Sequence, residues 1–378
     1  MRLTRPIPAT HGSSVRRRRA PFTRRLAARV LLSALASLTA CARDADPRAS
    51  SRSQDTAIAT RAPLTVFAAG SLARPMRALL DSFQRRSGAT YTLETAGSLE
   101  LARRLLELGK VADIVALADE EVFPRLLMPA QVSWYARFAR NRLVLAHASG
   151  APGLADALAG NWPAALQRKG VEVGRSDPDL DPAGYRTLML FQLAERHYHD
   201  AGLGARLEAN SARRHVRPKS AELVALLQAR EIDYAWMYES SARGARLPFI
   251  AMPAEIDLGS ESMAERYRVA TVRVLGGKIG DTLALHGTPI RYGLTIPRAA
   301  AEPERAAQFL RFLFSAPGLR VLRGEFLDAV SQPTIVGVGA PAWLDALATA
   351  AKQRDTVVRS SAAFERRVAP VPDTVQRR

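Results

Sequence analysis

Residues 64–118, LTVFAAGSLARPMRALLDSFQRRSGATYTLETAGSLELARRLLELGKVADIVALA, switch repeatedly between two hydrophobic periods. Leu64–Ala69 is a short apolar run of strand type, followed by Gly70-Ser71. Leu72, Met76, Leu79, Leu80 and Phe83 then recur with the spacing of one helix face, and Gly88 supplies a residue suited to ending that helix. Tyr91–Thr95 repeats the strand and Gly97-Ser98 the turn. A helix carrying Leu101, Leu105, Leu106 and Leu108 follows and stops at Gly109. Asp113–Ala118 is a third strand. Strands alternating with helices of this length predict βαβ units, and therefore parallel pairing.

The alternation continues outward. Arg142–Ala146 predicts a strand leading into a middle section, which holds a long helix over Pro182–Tyr198, a shorter one over Ala221–Gln228 and a strand over Ile232–Tyr238. Residues 288–296 predict a strand returning to the first unit, with helices near 303–314 and 317–327 after it. A chain that leaves one α/β unit, builds a second and comes back makes two lobes joined by a two-segment hinge, with a cleft between them. The expected architecture is α/β, each lobe a mainly parallel sheet flanked by helices. Residues 63–146 plus 289–345 form the first lobe, 147–288 the second, and 346–378 a charged tail.

The chain has 378 residues, 54 Lys+Arg against 36 Asp+Glu, and one Cys. A single thiol excludes an internal disulfide framework and every zinc site built on two or more cysteines. Half of the +18 net charge comes from nine arginines in residues 1–40, which contain no acid. The apolar stretch 26–40 that follows them is too short to span a bilayer, which takes about 20 residues. A basic region, a short apolar core and a small-residue exit together predict a signal peptide over 1–40. Its exit, Leu38-Thr39-Ala40-Cys41, resembles the lipobox of bacterial lipoproteins, so Cys41 is expected to carry lipid and 41–62 to serve as a tether. Export removes the usual reason for reading the basic charge as a nucleic-acid footprint, and no helix-turn-helix or RNA-binding signature occurs. The remaining excess suits an anionic ligand, the membrane surface or simply a solvated Arg-rich exterior.

Four loops share one design, a turn and then a helix: Gly70-Ser71, Gly97-Ser98, Asp181-Pro182-Ala183-Gly184 and Arg217-Pro218-Lys219-Ser220. Ser and Asp are favoured helix caps, and Pro182 suits a first helical position. Each helix start presents unpaired N–H groups and the positive end of a dipole. Converging on a cleft, two from each lobe, they would bind an oxyanion without an Arg or Lys. Asp181 is the discriminating residue. A carboxylate repels sulfate or phosphate, but it can bond the central atom of molybdate or tungstate, which accepts further oxygen ligands. The simpler reading is that Asp181 only caps its helix. Tyr234, Trp236 and Tyr238 share one strand face, where packing alone accounts for the rings.

At these residues the chain resembles the archaeal-type tungstate/molybdate-binding proteins of ABC importers. The resemblance rests on VFAAGSLARPMRALLDSF (66–83), TAGSLELARRLLELGKVADIVALAD (95–119), WYARFARNRLVLA (134–146), GRSDPDLDPAGYRTLMLFQLAE (174–195), RPKSAELVALLQAREIDYAWMY (217–238) and PIRYGLTIP (289–297). It implies a type II periplasmic-binding fold that closes on its oxyanion and delivers it to a membrane permease, as a monomer and with no cofactor. The implied ligand contacts are Ser71, Ser98 and Tyr238, backbone around Ala183 and Ser220, and Asp181 on the metal centre. The family's second carboxylate aligns with Ser220, and Met237 stands where many relatives carry an acid. Sulfate, phosphate or another small anion is the alternative cargo.

No motif of an enzyme is present: no HExxH, G-x-S-x-G, P-loop or Cys/His cluster. His197 and His199 are badly spaced for a metal on a helix. Gly337-Val338-Gly339 lacks the third glycine of a dinucleotide loop and reads as a turn.

Overall fold

The computed structural model describes residues 62–276 and 280–348. The expected signal segment, Cys41, nearly all of the tether and the tail beyond 348 lie outside the described residues. The chain opens with β1 (Leu64–Ala69), β2 (Tyr91–Ala96) and β3 (Ile114–Leu117), linked by the helices Ala73–Ser87 and Ser98–Leu106. Both neighbours of β1 run parallel to it. The first helix buries Met76, Leu79, Leu80 and Phe83 and ends at Gly88, whose φ of +71° a side chain would oppose. The second helix stops at Leu106, so Leu108 is left exposed.

β4 (Trp134–Arg140) completes the outward path through this sheet. The chain then crosses at Asn141-Arg142 into β5 (Leu143–His147), which pairs with β8 (Tyr234–Tyr238) and β9 (Phe249–Ala251). Residues 143–146, expected at the end of the first lobe, therefore lie in the second sheet. Nothing local marks the change of sheet, because both strands are largely buried and only Asn141-Arg142 separates them. β6 (Val173–Ser176) and β7 (Val216–Arg217) complete a five-stranded sheet ordered β7-β6-β8-β5-β9. A separate antiparallel hairpin, β10 (Thr271–Leu275) with β11 (Thr282–His286), follows. β12 (Arg291–Thr295) then returns to the first sheet between β3 and β4, antiparallel to both, and β13 (Asp328–Gly337) covers the β4 edge. The first sheet is ordered β13-β4-β12-β3-β1-β2.

Parallel pairing thus holds where helices connect consecutive strands, at β1–β2, β1–β3, β6–β7 and β6–β8. Every strand that returns from the other sheet pairs antiparallel, so both sheets are mixed and not mainly parallel. One apolar core runs from Leu64 and Leu117 to Phe191 and Trp236, while Val144, Leu223, Ile232 and Met237 pack on the opposite face of the second sheet. Each such side chain contributes about 1.5–3 kcal/mol when fully buried. Trp236 meets Trp162 and Phe191 edge-on, and Tyr234 donates to the Pro152 carbonyl, so these two aromatics belong to the core.

Candidate functional site

The C-terminal ends of β1, β2, β6 and β8 face the seam between the two sheets, the usual ligand position in α/β folds. The helices beginning there come from both sides. Asp181 is the N-cap of the helix Pro182–Tyr198: one carboxylate oxygen accepts from the Ala183 N–H at 3.1 Å. The other accepts from the Ser220 N–H at 2.8 Å, which ties two helix starts together. The three serines do not cap. Ser71 lies within a tight turn, Gly70–Leu72, while Ser98 and Ser220 are the first residues of their helices, after Gly97 and Lys219. A hydroxyl one place inside the helix cannot fold back onto its first N–H groups. Their side chains have other uses. Ser98 Oγ accepts from the Ala118 N–H at 3.0 Å, and Ser71 Oγ shares a 3.0 Å hydrogen bond with the Tyr292 hydroxyl.

Arg186, one turn into the Pro182 helix, joins the two sides. It is 2% exposed and donates through one Nη to the Ala118 carbonyl at 2.9 Å and to the Tyr238 hydroxyl at 3.1 Å. Its other Nη lies 3.0 Å from Asp119, which also accepts from the Tyr185 hydroxyl. Tyr238 packs edge-on against Tyr292, and Asn141, at the crossing between the sheets, donates to the Tyr292 hydroxyl at 2.9 Å. Ser71, Ser98 and Tyr238 are therefore connected through Tyr292, Arg186 and Ala118. Asp181, Ala183 and Ser220 meet beside them, where the Leu99 N–H donates to the Leu180 carbonyl at 3.2 Å.

An arginine was not required by the helix-start reading, and Arg186, Asp119, Tyr185 and Tyr292 were not anticipated. Arg186 does lie in the GRSDPDLDPAGYR stretch, the one sequence signal that pointed to it.

Burial sets the electrostatics. It raises the pKa of Asp181, although the N–H groups of Ser220 and Ala183 pull in the other direction. It raises Tyr238 well above the usual phenol value and Tyr292 to about 12, so both are neutral donors at neutral pH. Burial would lower the pKa of Arg186, but Asp119, Tyr238 and Tyr185 together more than compensate and the guanidinium stays charged. Within this network, Ser176 Oγ, Ser220 Oγ and the Arg186 Nη that faces Asp119 are buried and make no well-formed hydrogen bond. The two serine hydroxyls lie close enough to Asp181 to lower its pKa, without hydrogen-bond geometry to it. Neutral hydroxyls, helix N-termini and a fixed cation suit a small anion with several acceptor oxygens.

His197 and His199 lie at the far end of the same helix, outside this network. Among the described residues, no group of three or more His, Cys, Asp or Glu side chains could hold a metal ion, and no helix is long and apolar enough to cross a membrane.

Two α/β sheets that meet over a buried, donor-rich seam define a binding protein for a small solute. Residues 64–327 match the family of bacterial extracellular solute-binding proteins, and the chain belongs to that family, whose members bind solutes for transport and are not enzymes. An uncharacterized solute-binding protein of Methanoculleus marisnigri is 38% identical over 300 residues, covering 73% of this chain and 82% of its own. The molybdate/tungstate-binding protein WtpA of Pyrococcus abyssi is 32% identical over 304 residues, covering 73% and 87% respectively. Among solved structures, the periplasmic molybdate-binding protein of Azotobacter vinelandii aligns over 70% of this chain and 98% of its own, with 16% identity and a TM-score of 0.49.

Proposed function

We propose that this protein captures molybdate or tungstate between its two sheets and passes it to the membrane permease of an ABC importer. The sheets act as lobes that open and close about the crossings at 141–142 and 287–290, and the seam is the closed cleft. Cys41 carries the lipid that holds the protein at the membrane surface.

The observation that carries this reading is the pair of buried hydroxyls beside Asp181, Ser176 and Ser220, that have no hydrogen-bond partner. A buried donor without a partner costs roughly 1–3 kcal/mol, and an oxyanion has enough lone pairs to satisfy both. WtpA, a molybdate/tungstate binder by name, aligns over most of the chain and supports the choice of cargo.

Asp181 can serve this cargo while keeping its two N–H bonds, because each carboxylate oxygen retains a further lone pair for the metal centre. With Ser220 in the place of the second family carboxylate, such a centre has at most one protein oxygen added. A purely hydrogen-bonded tetrahedral anion, sulfate or phosphate included, is the second reading. It is favoured by the same Ser220 and by the engagement of both Asp181 oxygens.

Parallel calorimetry of the purified protein with molybdate, tungstate, sulfate and phosphate tests the reading. Heat of binding is expected for the first two, with sulfate competing more strongly than it does against a Ser220→Glu variant. If none of the four binds, the capture reading is wrong. Equal sulfate competition in both proteins would remove the role given to Ser220.

A further inference from the structure

We propose that Ser176 is a further anion-binding residue, its hydroxyl donating to one oxygen of the bound oxyanion; this rests on the capture reading above. Ser176 ends β6, which runs parallel to β8, and Val173 and Gly174 of β6 stand opposite Tyr234 and Ala235. Both strands thus deliver their last residue, Ser176 and Tyr238, to the same edge of the sheet. The Ser176 backbone carbonyl packs against Gly184 in the first turn of the Pro182 helix, so its Cα is held beside that N-terminus. The side chain is fully buried and its oxygen has no hydrogen-bond partner.

An unpaired hydroxyl in such a place is unfavourable for the protein alone, and a Ser is a poor choice for a buried strand end unless something accepts from it. The neighbouring carboxylate already accepts from two backbone N–H groups. The helix start and the nearby Ser220 hydroxyl offer Ser176 only donors, and the Asp181 carboxylate, though close, is out of hydrogen-bond geometry, so a bound ligand is left to supply the acceptor. An oxyanion oxygen fits, and a neutral solute would leave most of these donors unpaired.

The test uses Ser176→Ala and the near-isosteric Ser176→Cys in the full chain, with molybdate as probe, calorimetry for affinity and thermal melts for the ligand-free form. Affinity is expected to fall about 10- to 100-fold in both variants, as for loss of a hydrogen bond to a charged group. The ligand-free melting temperature is expected to stay level or rise. Affinity within about threefold of wild type overturns the proposal, at well under 1 kcal/mol. A ligand-free melting temperature lowered by more than about 2 °C, the equivalent of a lost structural hydrogen bond in a folded unit of this size, also overturns it, since the hydroxyl would then be serving the fold. Failure of wild type to bind any of the four anions refutes the capture reading instead, so the two failures are distinguishable.

Discussion

Gly97 is where the two sides of the site come closest, and Gly97→Ala is the sharpest perturbation of closure. A Cβ at this position would stand 2.1 Å from the Leu180 carbonyl oxygen, 2.6 Å from its carbon and 3.1 Å from the Asp181 nitrogen. All three are backbone atoms, so no rotamer change relieves the overlap. Ordinary contact needs well over 3 Å, and the two sides must therefore separate by about 1 Å or more. That displacement breaks the Leu99–Leu180 hydrogen bond and stretches the Arg103 bond to the Asp179 carbonyl, now 2.8 Å. It also pulls Arg186 away from Ala118.

Losing two or three such contacts at about 1 kcal/mol each weakens binding by roughly 30- to 150-fold. The overlap is with backbone at the seam and with no core side chain, so the ligand-free variant should melt within a few degrees of wild type. Calorimetry gives the affinity directly, and the ligand-induced melting shift is an independent check. At a molybdate concentration of about 100 times the wild-type Kd, stabilisation of wild type is about 2.7 kcal/mol, and a variant bound 100-fold more weakly gains only about 0.4 kcal/mol. Binding by Gly97→Ala within about threefold of wild type would refute the closure argument, because well under 1 kcal/mol of closing energy would then pass through this contact.

Three further outcomes follow from the same geometry. Arg103 donates to the carbonyls of Asp179, Leu275 and Gly276, at 2.8, 2.8 and 3.2 Å, and so straps the Ser98 helix to the opposite side. Arg103→Ala should speed ligand release about tenfold in stopped-flow traces, as for loss of about 1.4 kcal/mol of closing contacts, with Arg103→Lys intermediate. Burial raises the Asp181 pKa, so the folded chain binds this proton at higher pH than the unfolded one. Its contribution to stability is full below the unfolded value near 4 and declines as pH rises through the folded value. Denaturant melts of Asp181→Asn should therefore show a flatter loss of stability with rising pH, and calorimetry should show weaker molybdate binding with sulfate binding little changed. Trp236→Ala, which opens a cavity beside Trp162 and Phe191, should cost about 3–5 kcal/mol in the same melts.

The elements legible in the sequence are those whose signal is local. The Pro182–Tyr198 helix and β1 run over the residues that their apolar spacing predicts, and the residues assigned to the helix after β1 are all buried, Leu72 in the turn just before it. β6 was missed because Val-Gly-Arg-Ser has no apolar alternation; it is a strand only because β7 and β8 flank it. β13 contains Pro333, which a central strand excludes, yet it pairs at the edge of its sheet with a register shift between Ala329 and Thr334. The serine loops were legible as helix starts, but a shift of one position separates a cap from a first helical residue, and the sequence contains nothing that fixes it.

The opening βαβ alternation, the long Pro182–Tyr198 helix, the turn residues and the carboxylate at a helix start are properties of neighbours along the chain, and the amino-acid sequence by itself determined them. The burial of Arg186, the pairing of both Asp181 oxygens and the unpaired state of Ser176 were decided only in the tertiary structure. A charge or a hydroxyl takes its energy from whatever surrounds it in space, and here those surroundings come from distant segments, with Arg186 meeting Ala118 and Tyr238 and Asp181 meeting Ser220, in a chain whose local periodicity reaches only a turn or two.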